Sequence, residues 1–165
     1  MRIDCDVTQD KINFEYKLDV DEYVYCGPKN GASVGEFKVE ECLFQNIWGA
    51  GKKGNKIIGC ENHDFFLNEN TFTGYTVYEN IIFCFPKDDK NNNFYFKMYS
   101  NTFSDCHHPD ENTKSVMIKT RYKNNDIQMN TISYLRKENS QRAFEIDYYK
   151  DCKMIGNTIL NSFHH

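Results

Sequence analysis

Asn101-Thr102-Phe103 is one of four similar triplets in the sequence, each made of asparagine, threonine and an apolar residue. The third residues of these triplets, together with Phe44 of the related Cys42-Leu43-Phe44, lie 28, 31, 29 and 27 residues apart along the chain. Intervals this regular indicate an internal repeat. The other three triplets are Asn70-Thr71-Phe72, Asn130-Thr131-Ile132 and Asn157-Thr158-Ile159.

The sequence ahead of each triplet repeats as well. A run rich in β-branched and aromatic residues, such as 81–85 or 116–120, is followed by a polar corner, such as 90–93 or 123–126. One such unit cannot bury its own apolar face, whereas parallel stacking of units buries a continuous core. We therefore predict a second short strand that follows the polar corner and ends in the triplet, with a ladder of asparagine amides. An apolar ladder of Phe72, Phe103, Ile132 and Ile159 should lie two residues further on, on the same face.

This pattern resembles that of right-handed parallel β-helix proteins of the pectate-lyase-like architecture. The resemblance covers residues 35–163 and concerns the geometry of the coils. It implies an all-β, single-domain chain, 1–165, that forms a right-handed parallel β-helix, or solenoid, of about five coils. Residues 1–34 are expected to form an N-terminal cap and the first coil. The alternative is an antiparallel β-sandwich, whose hairpins also space strands regularly.

Composition narrows the classes of function. The net charge of −4 argues against direct binding to nucleic acid, because neutralising phosphates requires a basic surface. Residues 1–50 carry ten acidic and five basic side chains, so the acidity is concentrated towards the N-terminus. Seven cysteines without a CxxC pair fit neither a disulfide framework nor a structural zinc site. With no apolar signal segment or membrane span, we expect a cytoplasmic protein without a membrane, metal or cofactor partner.

Three short motifs could carry chemistry, but each has a simpler structural interpretation. Residues 49–54 fit a G-x-G-x-x-G pattern, yet the residues after them have the pattern of a strand, not of the helix that a phosphate loop needs. Residues 106–111 contain potential metal ligands but are typical of a solvated turn. His63-Asp64 is similarly interpreted as a polar corner and not as a catalytic dyad.

Basic residues also alternate near the third triplet, in a stretch predicted to be a strand. Lys119, Arg121 and Lys123 should project from one face, as basic residues do in the β-helix lyases that the chain resembles. Glu145 and Asp147 would more simply pair with them as a surface charge ladder. We therefore predict no catalytic residues.

The absence of a recognisable catalytic group favours a binding protein over an enzyme. In size, charge and predicted location the chain is similar in profile to bacterial immunity proteins, which neutralise a toxin. We therefore predict a cytoplasmic inhibitor that binds a basic protein such as a toxin nuclease, with an acidic N-terminal region steering the association. The predicted partner-binding residues are Asp4, Asp6, Asp10, Asp19, Asp21, Glu22, Trp48 and Tyr75.

Two alternatives remain open from the sequence. One is a carbohydrate-active or carbohydrate-binding β-helix, in which Tyr and Phe stack on sugars and Arg121 or Lys119 lies at the reactive centre. The other is a structural module of a larger fibre.

Overall fold

A computed structural model shows that the chain winds as a solenoid of three parallel β-sheets. It describes residues 2–3, 8–10, 13–15, 22–27, 35–47, 56–76, 80–107, 115–136, 141–147 and 150–163. Successive strands belong to successive sheets, so each sheet takes every third strand. Within the described ranges the only helical segment is a single 3₁₀ turn, Asp89–Asn91.

Each sheet contains six strands. Sheet A consists of β1 (Arg2–Ile3), β4 (Glu22–Cys26), β7 (Lys56–Glu61), β10 (Ile82–Phe85), β13 (Ser115–Thr120) and β16 (Gln141–Ile146). Sheet B consists of β2 (Thr8–Asp10), β5 (Glu36–Glu40), β8 (Asp64–Asn68), β11 (Tyr95–Tyr99), β14 (Asn124–Gln128) and β17 (Asp151–Ile155). Sheet C consists of β3 (Asn13–Glu15), β6 (Leu43–Ile47), β9 (Thr71–Thr76), β12 (Thr102–His107), β15 (Thr131–Arg136) and β18 (Thr158–Phe163).

The predicted parallel solenoid is confirmed, and the alternative of an antiparallel sandwich is wrong, because the described strands pair in parallel. The number of coils is slightly larger than the predicted five, because β1, β2 and β3 already form one layer of all three sheets. The right-handed winding stays a prediction, supported by the general preference of parallel crossovers for that hand. The extent of the single domain, 1–165, also stays a prediction.

The core is built from columns of like residues, because in-register parallel pairing places equivalent side chains directly above one another. In sheet C the predicted apolar ladder is confirmed, with Phe103 paired to Phe72 on one side and to Ile132 on the other. The rings of Phe44, Phe72 and Phe103 stack with centroids 4.6 and 4.4 Å apart, and their planes are nearly parallel. Aromatic pairs of this kind contribute about 0.5–1.5 kcal/mol beyond their burial. In sheet A a column of cysteines, Cys26, Cys60 and Cys84, is fully buried.

The asparagine ladder fixes the corner between sheets B and C. Asn101 accepts hydrogen bonds at Oδ1 from both the backbone N–H and the side-chain amide of Asn70, each at 2.9 Å. Its own amide donates to Leu67 O and Tyr99 O, at 2.8 and 2.9 Å. Asn130 and Asn157 repeat this arrangement. Buried polar groups at the corner are therefore satisfied from one coil to the next.

The residue before each asparagine of the ladder, and before Cys42 at the equivalent position, has a left-handed backbone conformation. This conformation turns the chain sharply into sheet C. These residues are Glu41, Glu69, Ser100, Met129 and Gly156, with φ between 50° and 64°. Only the last is a glycine, so four side chains accept a conformation that L-residues rarely adopt. The corner thus places an outward side chain at the same point of successive coils.

Candidate protein-binding surface

The residues predicted to bind a partner fall mostly outside the described part of the chain. Asp4, Asp6, Asp19, Asp21 and Trp48 lie outside it. The backbones of the other three are placed in strands, with Asp10 in β2, Glu22 in β4 and Tyr75 in β9. The assignment of all eight residues to a binding surface therefore stays a prediction. One of them is paired with a residue of the surface that the structure describes. Asp10 pairs in register with Glu40 of β5.

Glu40, Glu41 and Glu69 form an acidic ridge at the corner between sheets B and C. Glu41 and Glu69 are exposed and occupy the left-handed position of two successive coils. The backbone N–H of Glu41 donates to Asn68 O at 3.0 Å, so the two corners are tied together. The register places the backbone of Asp10 next to that of Glu40. The acidity that the composition indicates is thus partly concentrated on one edge of the solenoid.

Beside the ridge, the outward-facing residues of sheet B form a surface rich in aromatic side chains, which we call the sheet B face. Alternation of buried and solvent-facing residues along β5, β8 and β11 turns Phe66, Tyr95 and Tyr99 outwards. The ammonium groups of Lys38 and Lys97 lie 5.4 and 4.9 Å from the Phe66 ring centroid. Such contacts hold lysine stems flat against the sheet. Tyr95 remains 47% exposed.

Hydrogen bonds fix the polar end of the sheet B face. The Tyr99 hydroxyl donates to Asp126 Oδ2 at 2.8 Å, and the Gln128 amide donates to the other oxygen of the same carboxylate. Burial and the hydrogen bond to Asp126 raise the pKa of Tyr99 to about 12, so the phenol stays protonated. The face is therefore rigid as well as aromatic, the combination that protein interfaces favour at their centres.

The sequence contains a signal for this face that is separate from the repeat. Asp64–Asn68 and Tyr95–Tyr99 alternate strictly, so once the inner residues are assigned to the core the outer ones follow. Phe65 and Phe96 are the buried partners in these strands. The neighbours Phe66 and Tyr95 must then face outwards.

The basic residues near the third triplet lie in a charge cluster on the outer face of sheet A. Lys119 pairs with Glu145 and lies 3.4 Å from Asp147, and Arg121 contacts Asp147 at 3.8 Å. The predicted surface charge ladder is therefore confirmed. Arg121 and Lys123 were predicted to share the strand of Lys119, but both lie beyond the end of β13, and the Lys123 ammonium donates to Asp89 O at 3.2 Å. The strand ends because the chain turns to bury Tyr122.

The pKa shifts in this cluster do not suit base catalysis. The hydrogen bond that Lys119 donates to Glu145 is the main cause that raises the pKa of Lys119, and the same bond lowers the pKa of Glu145. A lysine that abstracts a proton near neutral pH needs a lowered pKa. Both groups are instead stabilised in their charged forms.

The other candidate motifs also have structural roles where they are described. His63 is fully buried, with Nδ1 2.7 Å from Glu61 O, while Asp64 accepts a hydrogen bond from the backbone N–H of Tyr95 at 2.9 Å. The two side chains thus have separate partners. Burial raises the pKa of both Cys60 and Cys84, which keeps these thiols protonated. Residues 49–54 and 108–111 lie outside the described part.

Two other kinds of site are absent from the described residues. Among them, no group of three or more His, Cys, Asp or Glu side chains is arranged to hold a metal ion. No helix within the described ranges has the length and apolar character needed to cross a membrane.

The chain matches no protein-family model, and no curated protein or solved structure is significantly similar to it. The comparisons therefore add no support for a relationship to pectate-lyase-like proteins or to immunity proteins. The part of the resemblance that the structure confirms is the parallel β-solenoid fold.

Proposed function

We propose that this chain is a non-enzymatic cytoplasmic protein that binds a basic protein partner. The observation that carries the proposal is the acidic ridge of Glu40, Glu41 and Glu69 beside the rigid, aromatic sheet B face. Exposed aromatics supply the apolar centre of an interface, while like charges around it steer an oppositely charged partner and select against wrong ones. The acidic residues of the N-terminal region extend the same charge.

The class of partner follows from the charge and not from a motif. A toxin nuclease has to be basic to bind its nucleic acid, and an acidic protein can occlude that surface. A profile similar to that of bacterial immunity proteins is consistent with this, and we propose inhibition of such a toxin as the biological role. The interface would include Trp48 and Tyr75 together with the sheet B face.

Affinity purification at low and at moderate salt tests the proposal. The tagged chain, expressed in its native host, should retain one stoichiometric basic protein whose recovery falls as salt rises, because exposed charge interactions are screened. Recovery of the chain alone at both salt concentrations would contradict the proposal.

Charge reversal then tests the surface. The double variant E41K/E69K should bind the recovered partner at least about tenfold more weakly, since juxtaposed like charges at an interface cost several kcal/mol. D88K is a control for the single variant E69K, because both reverse one exposed carboxylate and only one lies on the ridge. Asp88 also accepts a hydrogen bond from Lys90 N at 3.0 Å, so circular dichroism should first show that D88K is folded like the wild type. Equal effects of E69K and D88K would show that net charge alone matters, not the ridge.

A second candidate function is carbohydrate binding, favoured by one specific observation. Phe66, Tyr95 and Tyr99 form an outward aromatic surface next to the amides of Asn68 and Gln128, and such surfaces can stack on sugar rings. The variant Y95A should then abolish binding on a glycan array, whereas E69K should not.

The lyase form of this candidate receives less support from the charge cluster, since Lys119 and Arg121 are ion-paired there. Replacing Arg121 with Ala should still abolish turnover if that residue lies at a reactive centre. An R121A protein with unchanged activity towards uronate polymers would exclude the assignment.

A further inference from the structure

The C-terminal face of the solenoid exposes residues that belong to the core columns. Met154 pairs in register with Ile127, and Ile159 with Ile132, both of which are fully buried. At the end of the stack Met154 and Ile159 are 45% and 47% exposed, and Leu160 beside them is 54% exposed. We call these three residues, with Cys152 and Ile155, the C-terminal face. Its inward residues, Cys152, Met154 and Ile159, continue buried columns, whereas Ile155 and Leu160 continue the outward columns of Gln128 and Ser133 and make the rim of the face apolar.

The strands that border this face have open backbone edges within the described part of the chain. β17 is paired only with β14, and β18 only with β15. Natural sheet edges are usually protected by lysine, proline or a bulge. β18, with the sequence TILNSF, contains neither a charged residue nor proline. The edge can therefore accept another strand.

The charges on β17 indicate which strand fits. Asp151 and Lys153 lie in the outward columns, in register with Asn124 and Asp126, while Cys152 lies between them in an inward column. If two copies of β17 pair antiparallel about Cys152, Asp151 of each copy lies opposite Lys153 of the other. Opposite charges directly across an antiparallel pair are stabilising, and like charges are destabilising. The strand is thus complementary to a second copy of itself.

We propose that the C-terminal face is a self-association surface at which two copies of this chain meet tail to tail, with their β17 strands antiparallel about Cys152. The contact covers Met154, Ile159 and Leu160 of both copies. Because a two-fold contact uses the same surface on each copy, the assembly closes as a dimer and does not grow into a fibre. The acidic ridge lies on earlier coils and stays available to a different partner.

Sedimentation equilibrium over a wide range of protein concentration tests this proposal. The wild-type chain should dimerise reversibly. D151K places two lysines opposite each other, and K153E places two carboxylates opposite each other, so each variant alone should dimerise at least about tenfold more weakly. An equimolar mixture of D151K and K153E should recover association, because every cross-strand pair is then of opposite charge.

The mixture also controls for folding, since a misfolded variant would not be rescued by the other. In the D151K variant the new lysine lies beside the uncharged Asn124 of the same chain, so the variant should fold like the wild type. A short bismaleimide should join two wild-type chains through Cys152, and C152S should remove that product. A wild-type chain that stays monomeric, variants that dimerise like the wild type, or a mixture that fails to associate would each overturn the proposal. Assembly of the wild-type chain into species larger than a dimer would also overturn the proposal.

Discussion

The same triplet lies in two different environments in this molecule. Asn130-Thr131-Ile132 is in an inner coil, with strands above and below it, whereas Asn157-Thr158-Ile159 is in the last coil. Ile132 is fully buried and Ile159 is about half exposed, although the two residues occupy one column. Burial is therefore set by the neighbouring coil and not by the local sequence.

This difference shows how a solenoid is stabilised. Each coil contacts only its neighbours, so an inner coil gains from two interfaces and the last coil from one. The same reasoning connects the C-terminal face to self-association, because a second copy would supply the missing interface. Matched residues in an inner coil and in the last coil should therefore respond differently to the same substitution.

The largest difference is expected in the reactivity of the cysteines. Burial raises the pKa of all three thiols, but Cys60 and Cys84 are fully buried whereas Cys152 is exposed in the last coil. Buried thiols react only when the structure opens, so in a C5S/C106S background, at a protein concentration low enough to keep the chain monomeric, Cys152 should be labelled by a thiol reagent at least about a thousandfold faster. Mass spectrometry of the labelled peptides measures this. Comparable rates would mean that the inner coils open readily.

The isoleucine pair gives the next largest effect. Ile132→Ala should lower the free energy of unfolding by about 2–5 kcal/mol, since it leaves a cavity in a packed column. Ile159→Ala should lower it by about 1 kcal/mol or less, because that side chain is already partly in water. Urea unfolding at low protein concentration measures both. If the tail-to-tail dimer forms, the effect of Ile159→Ala should increase with concentration.

The asparagine ladder provides a polar version of the same comparison. Asn101→Ala removes the acceptor for the Asn70 backbone and side chain in a fully buried corner, and should cost about 3 kcal/mol. Asn157→Ala removes the same acceptor for Asn130, but in a corner that water can reach, so we expect about 1 kcal/mol. Thermal unfolding of the two variants should rank them in this order. The reverse order would mean that the terminal corner is sealed, as a dimer would seal it.

Much of this fold could be predicted because its repeat is visible in the sequence. The spacing of the triplets predicted parallel stacking, and the identity of Asn101 and Phe103 predicted which residues form ladders. The first layer was harder to assign, since β1, β2 and β3 have no such triplet. The predicted interface rested on clusters of acidic residues, which mark charge but not position. The ridge at Glu41 and Glu69 depends on the left-handed backbone at these corners. Glutamate has no preference for that conformation, so the sequence does not predict it there.

The smallest effect concerns the ion pairs that hold the edge strand of sheet A. Lys119 of β13 pairs with Glu145 of β16, whereas no described ion pair ties β17 or β18 to its neighbour. The pKa of Glu145 is lowered by Lys119, so its stabilising contribution is present at neutral pH and is lost as the pH falls through the folded-state value, below about 4.5. The raised pKa of Lys119 means that its contribution is lost only above pH 10.5. Lys119→Met should lower stability by about 1 kcal/mol or less at pH 7, and the difference from wild type should shrink at pH 4. A difference that persists unchanged at acid pH would assign the effect to packing of the lysine stem and not to its charge.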